Sequence, residues 1–173
     1  MSSIRYIYKD FKFYIKSHGL IETIFNFGFW TLINYRIGRF LIKKKIFKIT
    51  LLWYFYLFLK NLLTLVSKIE IPPTCKVGSN INLVHPYGLV MGNNVEIGNN
   101  CTIGAWVVIG HNGDKAEQPK IGNNVYLAPH SCLLGGILIG NNVLIGANTV
   151  VTRDITSNSI VKNSNTLVIK KKK

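Results

Sequence analysis

Acidic residues are scarce in this chain. Seven Asp and Glu stand against 21 Lys and Arg in 173 residues, a formal charge of +14. The imbalance is uneven. Residues 1–70 hold 12 basic and 3 acidic side chains, residues 71–169 hold 5 and 4, and the last four positions are all lysine. The basicity therefore belongs to the N-terminal region and the tail. Cysteine is scarce too. Cys75, Cys101 and Cys132 show no CxxC spacing, and an odd count without a secretory pattern fits a reduced, cytoplasmic chain. Long uncharged runs are missing. Ile49 to Leu59 is 11 residues between Lys48 and Lys60, and Leu20 to Tyr35 carries only Glu22; a spanning helix needs roughly 18–20 apolar residues. Asp10 and several lysines interrupt the start, unlike a signal peptide. No nucleic-acid-binding motif accompanies the charge, and the lysines flank apolar segments instead of forming a basic face, so nucleic acid is not expected as a partner.

A six-residue beat is abundant instead. An aliphatic residue, usually followed by Gly, returns at Met91, Ile97, Ile103 and Ile109, and again at Ile121, Leu127, Leu133, Ile139, Ile145 and Val151. Four positions after these stand Val95, Cys101, Val107, Val125, Ser131, Ile137, Val143 and Thr149, small or β-branched residues suited to a narrow interior. Asn pairs at 93–94, 99–100, 123–124 and 141–142 lie between them; Asn tolerates positive φ and suits corners. Period six does not trace a stripe on a 3.6-residue helix. It is the pattern of a parallel β-helix, with three six-residue sides per coil and coils stacked at about 4.8 Å. The expected fold is mainly β, a left-handed parallel β-helix with an N-terminal α-helical region. The expected divisions are 1–69 helical, 70–162 β-helix and 163–173 a basic tail.

The beat slips twice. Leu83 is followed by its next inward residue only at Met91, so two extra residues enter around His85-Pro86-Tyr87-Gly88. His111 to Lys120 replaces an inward aliphatic with Lys115, yet the phase recovers at Ile121, which describes a projecting loop, a common place for function. The helical region would cap the first coil, whose backbone edge is otherwise unpaired. Lys43-Lys44-Lys45, Lys48 and Trp53-Tyr54-Phe55-Tyr56 leave two readings of these helices open, a buried core with a charged face or peripheral contact with an anionic membrane surface at its inner face.

His85, His111 and His130 all fall two or three residues beyond an inward position, so they should point outward. Outward faces become grooves if prisms associate side by side, and a homotrimer is expected. The stretch Glu70 to Val151 resembles the serine acetyltransferase branch of the hexapeptide acyltransferases, which includes bacterial sugar and capsule O-acetyltransferases. Three patterns carry the likeness: Glu70-Ile71-Pro72 with Val77-Gly78, Leu83 to Gly92 around His85, and Ile109-Gly110-His111-Asn112-Gly113 through Pro119-Lys120-Ile121-Gly122. The resemblance implies acetyl-CoA as co-substrate and no metal. It implies His85 as general base toward an acceptor hydroxyl, with Glu70 holding the imidazole. The loop with Gly110, His111 and Gln118 would supply the oxyanion donor, from the His111 N–H, and acceptor contacts. Coenzyme A would lie near Ala128-Pro129 and Gly146-Ala147.

The chain also departs from that family. Glu117-Gln118 stands where serine acetyltransferases carry Arg-His, and Lys162-Asn163-Ser164-Asn165 replaces a Gly-x-Pro-Ala segment. The lost cation makes a sugar or glycan hydroxyl of a surface polysaccharide, or its precursor, the expected acceptor. Serine is the alternative. A non-catalytic β-helix scaffold is a second alternative. The γ-type carbonic anhydrases share the fold, but their pair of His five residues apart does not occur here.

Overall fold

In a computed structural model, residues 3–45, 51–113, 117–162 and 168–171 are described. Four helices lead: α1 (Ser3–His18), α2 (Leu20–Phe25), α3 (Phe27–Lys43) and α4 (Leu51–Ser67). Gly19, at φ 80°, separates the first two. Asn26 caps α3, its side chain accepting from the Phe29 N–H at 3.0 Å. At Gly38 a Cβ would run into the Tyr56 ring, so α3 and α4 approach closely there.

The rest is a stack of four coils. The first holds β1 (Lys76–Val77), β2 (Asn82–Leu83) and β3 (Val90–Met91), the second β4 (Glu96–Ile97), β5 (Thr102–Ile103) and β6 (Val108–Gly110). The third holds β7 (Lys120–Ile121), β8 (Tyr126–Leu127) and β9 (Cys132–Leu134), the fourth β10 (Leu138–Ile139), β11 (Leu144–Ile145) and β12 (Val150–Val151). Strands β13 (Ser159–Lys162) and β14 (Val168–Lys171) follow. The strands form three parallel faces. Face I is β1-β4-β7-β10, face II is β2-β5-β8-β11-β13 and face III is β3-β6-β9-β12. Within the stretch read as a basic tail, β14 pairs antiparallel with β13 on face II.

Both beats of the repeat point inward. The aliphatic positions and their partners four residues on, including Ser131 and Thr149, are buried. The corners turn through positive φ at Asn80, Asn94, Asn100, Asn124, Asn142 and Asn148. Between faces I and II their side chains bond from coil to coil, as from Asn124 Nδ2 to Asn142 Oδ1 at 3.0 Å and Asn142 Nδ2 to Asn158 Oδ1 at 2.9 Å. The strand register accounts for both slips. Lys76 pairs with Glu96 and Asn82 with Thr102, 20 residues apart, because of the two-residue insertion. Val108 pairs with Cys132, 24 residues on, because the loop adds one whole six-residue unit and so keeps the phase.

The helices close the open edge of the first coil. Tyr35 Oη donates to the Cys75 carbonyl at 2.8 Å. Arg36 donates to the carbonyls of Val77 and Gly78, and Arg39 to those of Pro73, Thr74 and Cys75. Tyr14 Oη accepts from the Leu83 N–H at 3.2 Å. Groups that would be left without partners at the end of the stack are thereby satisfied. Burial raises the Tyr14 and Tyr35 phenols, so both stay protonated and able to donate. The expectation of a capping helical region is met by named side chains.

Candidate active site

The two phase breaks fall at different edges of the prism. His85 lies between β2 and β3, at the edge joining faces II and III. His111 lies between β6 and β7, at the edge joining faces III and I. Face III therefore separates them within one chain. His85, His111 and His130 are all exposed, as their phase required.

His85 takes φ 50°, and Gly88, closing the same insertion, takes φ 70°. Its imidazole has no hydrogen-bond partner among the described residues. Glu70 stands at the top of face III. Its N–H donates to Leu89 O at 2.7 Å and its carbonyl accepts from the Met91 N–H at 3.0 Å, a bridge that stacks it over Val90. Its carboxylate makes no hydrogen bond to His85, so the pairing expected of them is not formed in the single chain. Below Glu70 the outward column of face III runs Val90, Val108, Cys132 and Val150, one residue per coil and none charged.

A cleft of about 540 Å³ opens beside this column, lined by Thr64, Lys68, Glu70, Gly88, Val90, Trp106 and Val108. It joins the end of α4 to the His85 edge. Thr64, Lys68, Trp106 and Val108 are members not singled out from the sequence. Trp106 takes φ 58°, a conformation that is uncommon for a bulky residue and asks for a reason. Its ring stacks on His130 of the next coil, with centroids 6.4 Å apart and planes at 10°. The signal was present in the sequence. The residue before the second inward position is Asn at 94, 100, 124, 142 and 148, but Trp at 106 and His at 130.

The loop folds back on its own edge. His111 Nδ1 accepts from the Gly113 N–H at 3.0 Å, which leaves Nε2 as the proton-bearing nitrogen of a neutral ring. Around Gly110 the space is open, since a Cβ there would meet nothing within 4 Å. Gln118 lies over Gly92, and Glu117 lies against Gly136; in both places a Cβ would collide with the side chain. Lys115 falls outside the described residues. The positions suggested for coenzyme A, Ala128-Pro129 and Gly146-Ala147, stack on successive coils below His85. The Ala128 N–H donates to Ile145 O at 2.9 Å and the Asn148 N–H to Pro129 O at 3.2 Å.

A second groove, of about 920 Å³, runs down face I from the cap past Lys76, Glu96 and Lys120. The Lys76 ammonium bonds Glu96 at 2.6 Å and holds its carboxyl below the usual range. None of the candidate residues lines this groove. Among the described residues, no group of three His, Cys, Asp or Glu could hold a metal ion.

The family model "Bacterial transferase hexapeptide (six repeats)" matches residues 118–153. The stacked hexapeptide coils and this match define a transferase of the hexapeptide class. Within it, a serine acetyltransferase from Helicobacter pylori is 32% identical over 146 residues, covering 83% of this chain and 82% of that protein. One from Synechococcus elongatus is 33% identical over 136 residues, 78% of this chain and 53% of its own length. The chain belongs to the serine acetyltransferase family, an acetyl-CoA-dependent acyltransferase family. It spans about half the length of the Synechococcus relative. The solved serine acetyltransferase of Neisseria gonorrhoeae superposes with TM-score 0.83 at 26% identity, over 99% of this chain and 66% of that one. That of Brucella abortus in complex with coenzyme A shares the fold, with TM-score 0.83 at 22% identity over 98% of this chain and 68% of that one.

These relatives overturn the expected glycan acceptor, because they are serine acetyltransferases, as are further relatives from Staphylococcus aureus. The loop lacks the family's cation at Glu117-Gln118, but a cation, Lys68, lines the cleft beside Glu70.

Proposed function

We propose that this chain is an acetyl-CoA-dependent serine O-acetyltransferase of cysteine biosynthesis, with His85 as general base. The observation that carries the reading is the likeness to the Helicobacter pylori enzyme, which runs over 82% of that protein. His85 takes the proton of the serine hydroxyl. The hydroxyl oxygen forms a bond to the thioester carbonyl carbon, giving a tetrahedral oxyanion. The C–S bond then breaks, and the coenzyme A thiolate takes the proton back from the imidazolium. The His111 N–H, for which no acceptor is found among the described residues, is the oxyanion donor, a role worth about 2.7–4 kcal/mol. Lys68 receives the serine carboxylate in the cleft, and Trp106 walls it. Acetyl-CoA is the co-substrate, and the small residues at Ala128-Pro129 and Gly146-Ala147 give its pantetheine arm a smooth edge to follow.

Assembly completes the site in this reading. The uncharged column of face III calls for a cover, and a second copy placed there brings its own loop edge toward the first copy's His85. A cyclic trimer satisfies all three copies alike. A cytoplasmic location goes with the substrates and with the three free thiols. The test is release of coenzyme A from acetyl-CoA in the presence of serine. The expected result is turnover that falls about 10²–10⁴-fold in kcat on His85→Ala, and a raised KM for serine with little change in kcat on Lys68→Ala. Absence of serine-dependent turnover in the folded wild type would overturn the reading.

A further inference from the structure

Helix α4 is apolar on the side that faces away from the protein. Its inward side is accounted for by Tyr56, which fills the space over Gly38 of α3. Its outward side carries Leu51, Phe55, Phe58, Leu62 and Leu65, a helical stripe at spacings of four and three. Their exposures are 88, 57, 63, 48 and 67%. Leu52, Tyr54 and Val66 flank the stripe and are also exposed. A helix apolar all round is one that is covered on both sides, and an apolar face of this size marks an interaction site.

The charges around the helix say what covers it. α4 contains no carboxylate. Exposed Lys44 and Lys45 precede it by a few residues, and its own Lys60 is half-buried. Of the three acids in residues 1–70, Asp10 is consumed in a buried pair with Arg36. Two copies meeting through α4 would bring these lysines together with no acid on the helix to offset them. An anionic lipid surface matches both features at once. Apolar side chains enter the acyl boundary, the lysines before its first turn meet headgroups, and Tyr54 sits at the level aromatics favour. No described helix is long and apolar enough to cross a membrane; on such a surface α4 would lie in the interface plane.

We propose that the outward stripe of α4 docks the protein on an anionic bilayer. This goes beyond the proposed function and does not depend on it. The test is co-sedimentation of the full chain with vesicles of phosphatidylglycerol and phosphatidylcholine in equal parts, and with phosphatidylcholine vesicles alone. The expected result is binding to the anionic vesicles that weakens as salt is raised, is at least about tenfold lower on neutral ones, and is lost in Phe55→Ser/Phe58→Ser. Both positions are exposed, so the variant keeps the wild-type circular dichroism and acetyl-transfer rate. Failure of the folded wild type to bind would overturn the proposal, as would equal binding to both vesicles. So would a wild-type assembly that the double variant splits in the absence of lipid, which would assign the stripe to a second copy.

Discussion

Arg36 donates from Nε to Asp10 Oδ2 at 2.9 Å, with the two side chains 2% and 0% exposed. The remaining N–H groups of Arg36 reach the Val77 and Gly78 carbonyls, and Asp10 Oδ1 accepts from the Asn80 N–H at 3.3 Å. One ion pair thus ties α1 and α3 to the upper edge of the β-helix. Burial pushes the Asp10 carboxyl above its usual pKa, against the pull of Arg36.

Removing one member strands the other. Asp10→Ala leaves a buried guanidinium without its counter-charge, and the expected loss is roughly 3–5 kcal/mol of stability. Urea unfolding followed by circular dichroism measures it. A loss comparable to that of an exposed pair, roughly 1 kcal/mol or less, would show that the pair does not anchor the cap.

Trp106 occupies a positive-φ corner of the kind that Asn148 takes two coils further along the same edge. Trp106→Asn should relieve backbone strain and raise stability by about 1 kcal/mol. The same change removes a wall of the cleft shared with Glu70 and Lys68, so KM for serine should rise. A melting experiment and a kinetic one on the same variant decide it. A drop in both stability and activity would make Trp106 a packing residue only.

The β-helix was legible because each coil repeats the same local requirement, and the sequence writes its inward aliphatic residue ten times over, with polar corners between. His85 was legible because it interrupts that requirement. The cleft that joins Lys68 and Glu70 to Trp106 was not, because it depends on how α4 packs on the first coil, and no periodicity encodes that. The choice of acceptor failed for the same reason. Glu117-Gln118 replaces a family cation and so argued for a glycan, but these side chains lie against Gly136 and Gly92 at the root of the loop.

Cys132 offers a probe of face III. Burial raises the thiol pKa of Cys75, Cys101 and Cys132, so less thiolate is present at neutral pH and alkylation is slow at all three. Cys75 and Cys101 are fully buried, whereas Cys132 is partly exposed in the outward column between Val108 and Val150. Iodoacetamide followed by mass spectrometry should modify Cys132 first. The rate should climb as the protein is diluted and copies separate from face III. A Cys132 rate independent of concentration would count against that face as the contact.

The separation of His85 from the loop by the width of face III leads to a complementation experiment. His111→Pro removes the N–H proposed as oxyanion donor, and His85→Ala removes the base, so each variant alone should be nearly inactive. When the two are unfolded and refolded together in equal amounts, a site built from two chains finds both groups intact in about a quarter of cases in a cyclic assembly. Acetyl transfer should therefore return to about a quarter of the wild-type rate. A site contained within one chain would recover nothing, because every chain in the mixture lacks one of the two groups.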